Sequence, residues 1–151
     1  MIGLAATFLA AFVAATPVPM QSEPVFLGFL AAGGQTIWLV LAASVGNTLG
    51  ACVTYVLGRG ADALVSSRLF PVSPERLARA QAWFSRWGAW TLLLSWAPGG
   101  DLIVALSGLM RLPFMLFLPL VALAKTVRYS VLALAAWGVF GWGQASAGPA
   151  M

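Results

Sequence analysis

The sequence predicts an all-α integral membrane protein of two units, each a re-entrant hairpin followed by a transmembrane helix. The units form an inverted repeat and are joined by an amphipathic basic cytoplasmic helix. Three observations lead there. Hydrophobic residues make up 61% of the 151 positions and charged residues only 8%, where a soluble domain carries charge on about a quarter of its residues. Such a chain could not cover a water-facing surface. Two apolar stretches are long enough to span a bilayer, and the rest come as short pairs split by proline-marked breaks. A carboxylate directly follows each break: Glu23 after Pro17-Val18-Pro19-Met20-Gln21-Ser22, and Asp101 after Pro98-Gly99-Gly100. An ionisable residue at bilayer depth costs about 2.5–3.5 kcal/mol on insertion scales. Irregular backbone is tolerated there only where it is buried in protein or lines a cavity. Break plus carboxylate, occurring twice, therefore predicts a binding or transport site.

Residues 1–58 form hairpin one and span one. Met1 to Ala15 is uncharged and apolar, but at ~1.5 Å per residue it reaches about 22 Å, short of the ~30 Å hydrocarbon core. Its resemblance to a signal peptide is weakened by the lack of a basic leading segment. Pro17 and Pro19 break the chain, and Val25 to Ala32 is a second, shorter limb. Ile37 to Gly58 is long enough to cross. Its Gly46, Gly50 and Gly58 suit close helix packing.

Residues 59–87 form the basic interfacial segment, with Arg59, Arg68, Arg76, Arg79 and Arg86 against Asp62 and Glu75. Ser73-Pro74-Glu75 reads as a helix start: a cap, a proline at the first position and an acid in the first turn. Leu77, Ala80, Phe84 and Trp87 recur on one face, which predicts an amphipathic helix lying at the membrane interface.

Residues 88–142 form hairpin two and span two. Two limbs flank Ser95 to Asp101, and Arg111 ends the second. The span runs from Leu112 to Val139, and residues 143–151 read as a tail. A hairpin returns to its own side and a span does not, so the second unit enters from the opposite face. The positive-inside rule places the Arg59–Arg86 segment in the cytoplasm and both termini outside.

The charge balance is +4. Because the basic residues cluster between spans, they report topology and anionic headgroups, and a nucleic-acid partner is excluded. Cys52 is the single cysteine and there is no histidine. An internal disulfide is impossible, and no metal site or cofactor is expected.

Lys125 and Arg128 lie near the middle of span two, and Tyr129 is four residues from Lys125, so the three share a helix face. With Glu23 and Asp101 opposite them, the buried charges sum to zero. The expectation is that both hairpin tips face this stripe near the midplane. Glu23 and Asp101 are then candidate proton carriers, or else members of a static ion-pair network. For Glu23, apolar neighbours disfavour the charged form and a nearby Lys125 or Arg128 favours it. The substrate-binding candidates are Lys125, Arg128, Tyr129, Asn47 and Trp96. Pro17, Pro19, Pro98, Gly99 and Gly100 make the breaks, and the Gly99-Gly100 amides could also bind an anion. Asn47 and Thr54, seven apart on one face, suit interhelical hydrogen bonds as well as ligand contact. Trp38, Trp87, Trp90, Trp137 and Trp142 suit interface anchoring.

These residues resemble the DedA family, also called the SNARE-associated or VTT-domain family, and its short YqaA-like branch in particular. The resemblance rests on Pro17-Val18-Pro19 leading to Ser22-Glu23, Gly46-Asn47-Thr48-Leu49-Gly50 with Tyr55 and Gly58-Arg59, and Phe84 to Gly88. It continues through Ser95 to Asp101, Gly108, and Lys125-Thr126-Val127-Arg128-Tyr129. It covers nearly the whole chain. It implies paired re-entrant hairpins in a bacterial inner (cytoplasmic) membrane and a role in membrane lipid handling. The associated activities are polyprenyl-phosphate carrier flipping, phospholipid scrambling and proton-linked transport. Glu23 matches the family's hairpin-one acid. This chain departs where typical members carry an arginine, at Ser95 and Asp101, and where they carry an acid, at Ala51.

The expected function is a transporter or lipid flippase, not an enzyme, for an anionic lipid such as a polyprenyl phosphate or for a small anion. A homodimer is one way for so short a chain to enclose a path. The alternative is a scaffold without turnover. An intramembrane aspartyl protease using Glu23 and Asp101 is disfavoured, because Pro98 replaces the first glycine of the Gly-x-Gly-Asp signature that such enzymes carry.

Overall fold

Two long helices set the frame. The structure, a computed structural model, describes residues 1–18, 20–60, 73–97 and 99–140. Pro19, Pro98, Asp62, Arg68, Trp142 and the tail 143–151 lie outside the described residues. Helices α1 (Ile2–Ala14), α2 (Glu23–Ala31), α3 (Thr36–Arg59) and α4 (Pro74–Trp87) are followed by a 3₁₀ helix (Gly88–Trp96), α5 (Asp101–Leu109) and α6 (Phe114–Phe140). Among the described residues there is no strand. At ~1.5 Å per residue, α3 reaches roughly 36 Å and α6 roughly 40 Å, and both exceed the ~30 Å hydrocarbon core. The two are long and apolar enough to cross a membrane. The other apolar elements are not: α1 reaches roughly 20 Å, α2 and α5 roughly 14 Å, and the 3₁₀ helix roughly 18 Å.

The outer faces of the long helices are apolar. On α3, Ile37, Leu41, Val45, Leu49, Val53 and Val56 are exposed at helical spacing, and on α6 Leu123, Val127, Val131 and Leu134 are exposed likewise. A continuous stripe of this kind is costly against water and neutral against acyl chains. The inner faces pack tightly. A Cβ at Gly46 or Gly50 would collide with the carbonyl oxygens of Phe8 or Phe12, so α3 lies directly on α1. A Cβ at Gly58 or Gly108 would collide with the carbonyls of Ala105 or Tyr55, so α3 lies equally close to α5. The packing role expected of Gly46, Gly50 and Gly58 is the one observed. Helix α6 packs against the 3₁₀ helix and α3, and also touches α2.

This packing yields two apolar cores. One gathers Ala11, Phe26, Leu30, Leu39, Ala43, Tyr129 and Ala133. The other gathers Ala15, Ala51, Tyr55, Leu92, Val104, Phe117 and Val121. On α3 the first core ends at Ala43 and the second begins at Ala51; on α6 the corresponding limits are Tyr129 and Val121. The interval holds Asn47 on α3 and Lys125 and Arg128 on α6, near the midpoints of both helices.

Helix α4 starts as its sequence predicts. The Ser73 hydroxyl accepts from the Arg76 N–H at 3.4 Å, with Pro74 and Glu75 in the first turn. On its apolar face Phe84 is buried and Trp87 is 55% exposed. The helix ends on Gly88, whose φ of +58° turns the chain sharply back. As a result α4 packs against both the 3₁₀ helix and α5, and does not lie apart from the rest of the fold. The limb Gly88–Trp96 is 3₁₀ where the sequence suggested only an apolar helix of unspecified type.

Candidate functional site

The midpoint layer is built from the two breaks and α6. At the first break, α1 ends at Ala14 and α2 begins at Glu23 with Ser22 as its cap residue. The Ser22 hydroxyl does not cap the helix. It lies 2.6 Å from the Tyr129 hydroxyl, to which Asn47 Nδ2 also donates at 3.3 Å. Asn47 Nδ2 further donates to the Ala11 carbonyl at 2.9 Å, and the Tyr129 ring leans on Phe26 with centroids 5.3 Å apart. Tyr129 thus locks the start of α2 onto α3 and α6. This places the Glu23 carboxylate against the Arg128 guanidinium, with which it forms an ion pair.

At the second break, Gly99 adopts a φ of +83°, a left-handed conformation that side chains with a Cβ rarely take. Gly100 lies so close to the Ser95 backbone that a Cβ would collide with it. The two glycines therefore fold the chain back on the end of the 3₁₀ helix and start α5 at Asp101. Lys125 Nζ bonds Asp101 Oδ1 at 3.0 Å and the Ser95 carbonyl at 3.4 Å. Lys125 is 1% exposed, with its ammonium held by two oxygens. Glu23 and Asp101 each open a helix, where the dipole favours a negative charge.

A cleft of about 620 Å³ opens on this layer. Glu23, Asp101 and Arg128 line it, together with Ser22, Asn47 and Gly99. The Oδ1 of Asn47 is buried with no partner among the described residues. The structure therefore brings Glu23, Asp101, Lys125, Arg128, Tyr129 and Asn47 together, although Lys125 and Tyr129 lie behind the cleft wall. Trp96, expected to line the site, does not. It is 46% exposed and turns outward, because the 3₁₀ helix presents Thr91, Leu92 and Ser95 inward. Pro17 sits in the first break, as expected. Thr54 donates to the Ala15 carbonyl at 2.7 Å, a purely interhelical role. The sequence reading missed the Ser95 carbonyl as a partner for Lys125, since a backbone oxygen carries no residue signal. It also gave Ser22 no task, since a serine before a helix reads as its cap. Among the described residues no cluster of His, Cys, Asp or Glu could hold a metal.

Fold and site together define a helical protein with two membrane-length helices and a charge-paired polar layer at their midpoints. The chain belongs to the VTT-domain family, also called DedA: the family model for the VTT domain matches residues 18–138. It is 36% identical over 146 residues to the Inner membrane protein YqaA of Escherichia coli (strain K12), covering 93% of this chain and 96% of that protein. The Shigella flexneri protein of the same description gives the same figures. A Haemophilus influenzae protein described as uncharacterized is 36% identical over 134 residues, covering 83% of this chain and 82% of its own. No solved structure gives a significant match.

Proposed function

We propose that this chain is a transporter or lipid flippase of the bacterial inner membrane that handles an anionic lipid or a small anion, with Glu23 taking up and releasing a proton. The inner-membrane setting is taken from the relatives described as Inner membrane protein YqaA. The observation that carries the reading is the Glu23–Arg128 pair on an open cleft between two apolar cores. An anionic group entering the cleft competes with Glu23 for Arg128, and protonation of Glu23 would release the guanidinium to it. Charged side chains near the middle of membrane-length helices are expensive to keep and usually mark a substrate or proton path.

In this reading α1 with α2, and the 3₁₀ helix with α5, are re-entrant hairpins, each too short to cross. The arrangement is an inverted repeat. It is supported in part by the packing: α1 lies on α3 as the 3₁₀ helix lies on α6, and α5 packs on α3 as α2 touches α6, although α2 touches α3 as well. A second copy of the chain would be one way to close the cleft. The chain acts without covalent chemistry on its cargo.

The test is lipid flipping in proteoliposomes across a pH gradient, wild type against Glu23→Gln. Flipping that needs Glu23 is the expected result. Equal flipping by Glu23→Gln would remove the proton-carrier role. The absence of flipping in correctly inserted wild type would favour a small-anion transporter or a scaffold. The scaffold reading has one observation in its favour: both ion pairs are closed in the same structure.

A further inference from the structure

A second site lies on the far side of the second break. Because α4 turns back at Gly88 and its N-terminal half lies beside Gly99, a pocket of about 420 Å³ forms between α4, the 3₁₀ helix and α5. Its α4 wall carries Arg76, Arg79 and Trp83. Among the described residues neither arginine is in an ion pair. Its opposite wall includes Thr91, 3% exposed, whose hydroxyl is buried with no partner among the described residues, as well as the apolar side chains Leu94 and Leu102.

We propose that this pocket binds one anionic phospholipid of the cytoplasmic leaflet. Arg76 and Arg79 would hold its phosphate, Thr91 would bond a headgroup or glycerol oxygen, and Leu94 and Leu102 would face the start of its acyl chains. The chemistry that matches these walls is that of a phosphate ester with an apolar tail. Two guanidiniums recognise phosphate oxygens in paired geometry. An indole half-exposed beside them suits the headgroup level of a membrane. The volume fits a glycerophosphate headgroup, and the unpaired Thr91 hydroxyl costs free energy until a ligand satisfies it. The site is more than the general attraction of a basic helix for headgroups, because it has walls from three elements and Thr91 among its lining residues. Gly99 lines both this pocket and the central cleft. A bound lipid would therefore brace the turn that positions Asp101 against Lys125. The proposal does not depend on the transport reading, since a scaffold would bind the same lipid.

Native mass spectrometry of the full chain in detergent tests it, titrating dioleoyl phosphatidylglycerol or dioleoyl phosphatidylcholine and adding inorganic phosphate as competitor. The expected result is a first phosphatidylglycerol bound in clear preference to phosphatidylcholine. The double variant Arg76→Gln/Arg79→Gln should weaken that binding roughly thirtyfold. Thr91→Val should weaken it roughly threefold, and Arg86→Gln, on the same helix but off the pocket, should leave it unchanged. Equal losses in Arg86→Gln and in either pocket arginine would overturn the proposal in favour of diffuse attraction. Displacement of the lipid by millimolar phosphate would overturn it in favour of a soluble anion. Thermal unfolding of each variant separates lost binding from lost fold.

Discussion

The two ion pairs of the midpoint layer hold the same charges in different surroundings. Both acids open short helices after a break and both line the cleft, but only one of the two cations does. Arg128 faces the cleft and is 20% exposed; Lys125 is sealed behind it at 1% and is gripped by Asp101 and by the Ser95 carbonyl. A buried ammonium gripped by two oxygens is held in place. A guanidinium on an open wall can exchange its carboxylate for another anion. The comparison teaches that charge pattern alone does not fix surroundings: the same pairing of charges gives one sealed cation and one that faces a cleft.

The largest effect should come from Lys125→Met, which leaves Asp101 unpaired and the Ser95 carbonyl without its donor. Thermal or denaturant unfolding in detergent should show a loss of about 2 kcal/mol, from the lost Lys125 packing and the stranded carbonyl more than from Asp101, which keeps access to the cleft. The double variant Lys125→Met/Asp101→Asn should recover only part of it, since it removes the unpaired charge but leaves the Ser95 carbonyl without the Lys125 donor. If Lys125→Met unfolds like wild type, the pair is not structural and the comparison fails.

Arg128→Gln should cost less, about 1.5 kcal/mol in the same assay, because Arg128 is itself part-exposed and its loss strands no backbone carbonyl. Its loss of flipping should nevertheless be complete. An Arg128→Gln protein that flips lipid at wild-type rates would move the working site elsewhere. Smaller still, Tyr129→Phe removes the hydroxyl shared by Ser22 and Asn47 and should cost about 1 kcal/mol. It should also slow flipping by loosening the start of α2 under Glu23. At the bottom of the scale, Trp96→Ala should change stability by less than about 0.5 kcal/mol and leave flipping intact, as an outward-facing residue off the cleft should.

Much of this layer is legible in the sequence because charge is so scarce there. With 12 charged residues in the whole chain, an acid directly after a proline break and two cations three residues apart in a long apolar span stand out. The start of α4 was legible from Ser73-Pro74-Glu75, and the packing glycines of α3 from their four-residue spacing. What misled was local inference about direction. Trp96 stands beside the break and so suggested a site residue, but the turn of the 3₁₀ helix points it outward.

The sequence by itself determined that the chain is helical and membrane-embedded, where its helices break, and which few side chains carry charge into the apolar interior. Hydrophobic run length and proline position act locally, so they can be read residue by residue. Only the tertiary structure decided which acid meets which cation, that Lys125 is sealed while Arg128 faces a cleft, and that α4 folds back to make a basic pocket beside Gly99. Those outcomes depend on how closely α3 can approach α1 and α5 through Gly46, Gly50, Gly58 and Gly108, and on backbone carbonyls such as that of Ser95. Close approach and carbonyl placement belong to the packed helices together and to no single stretch of the chain.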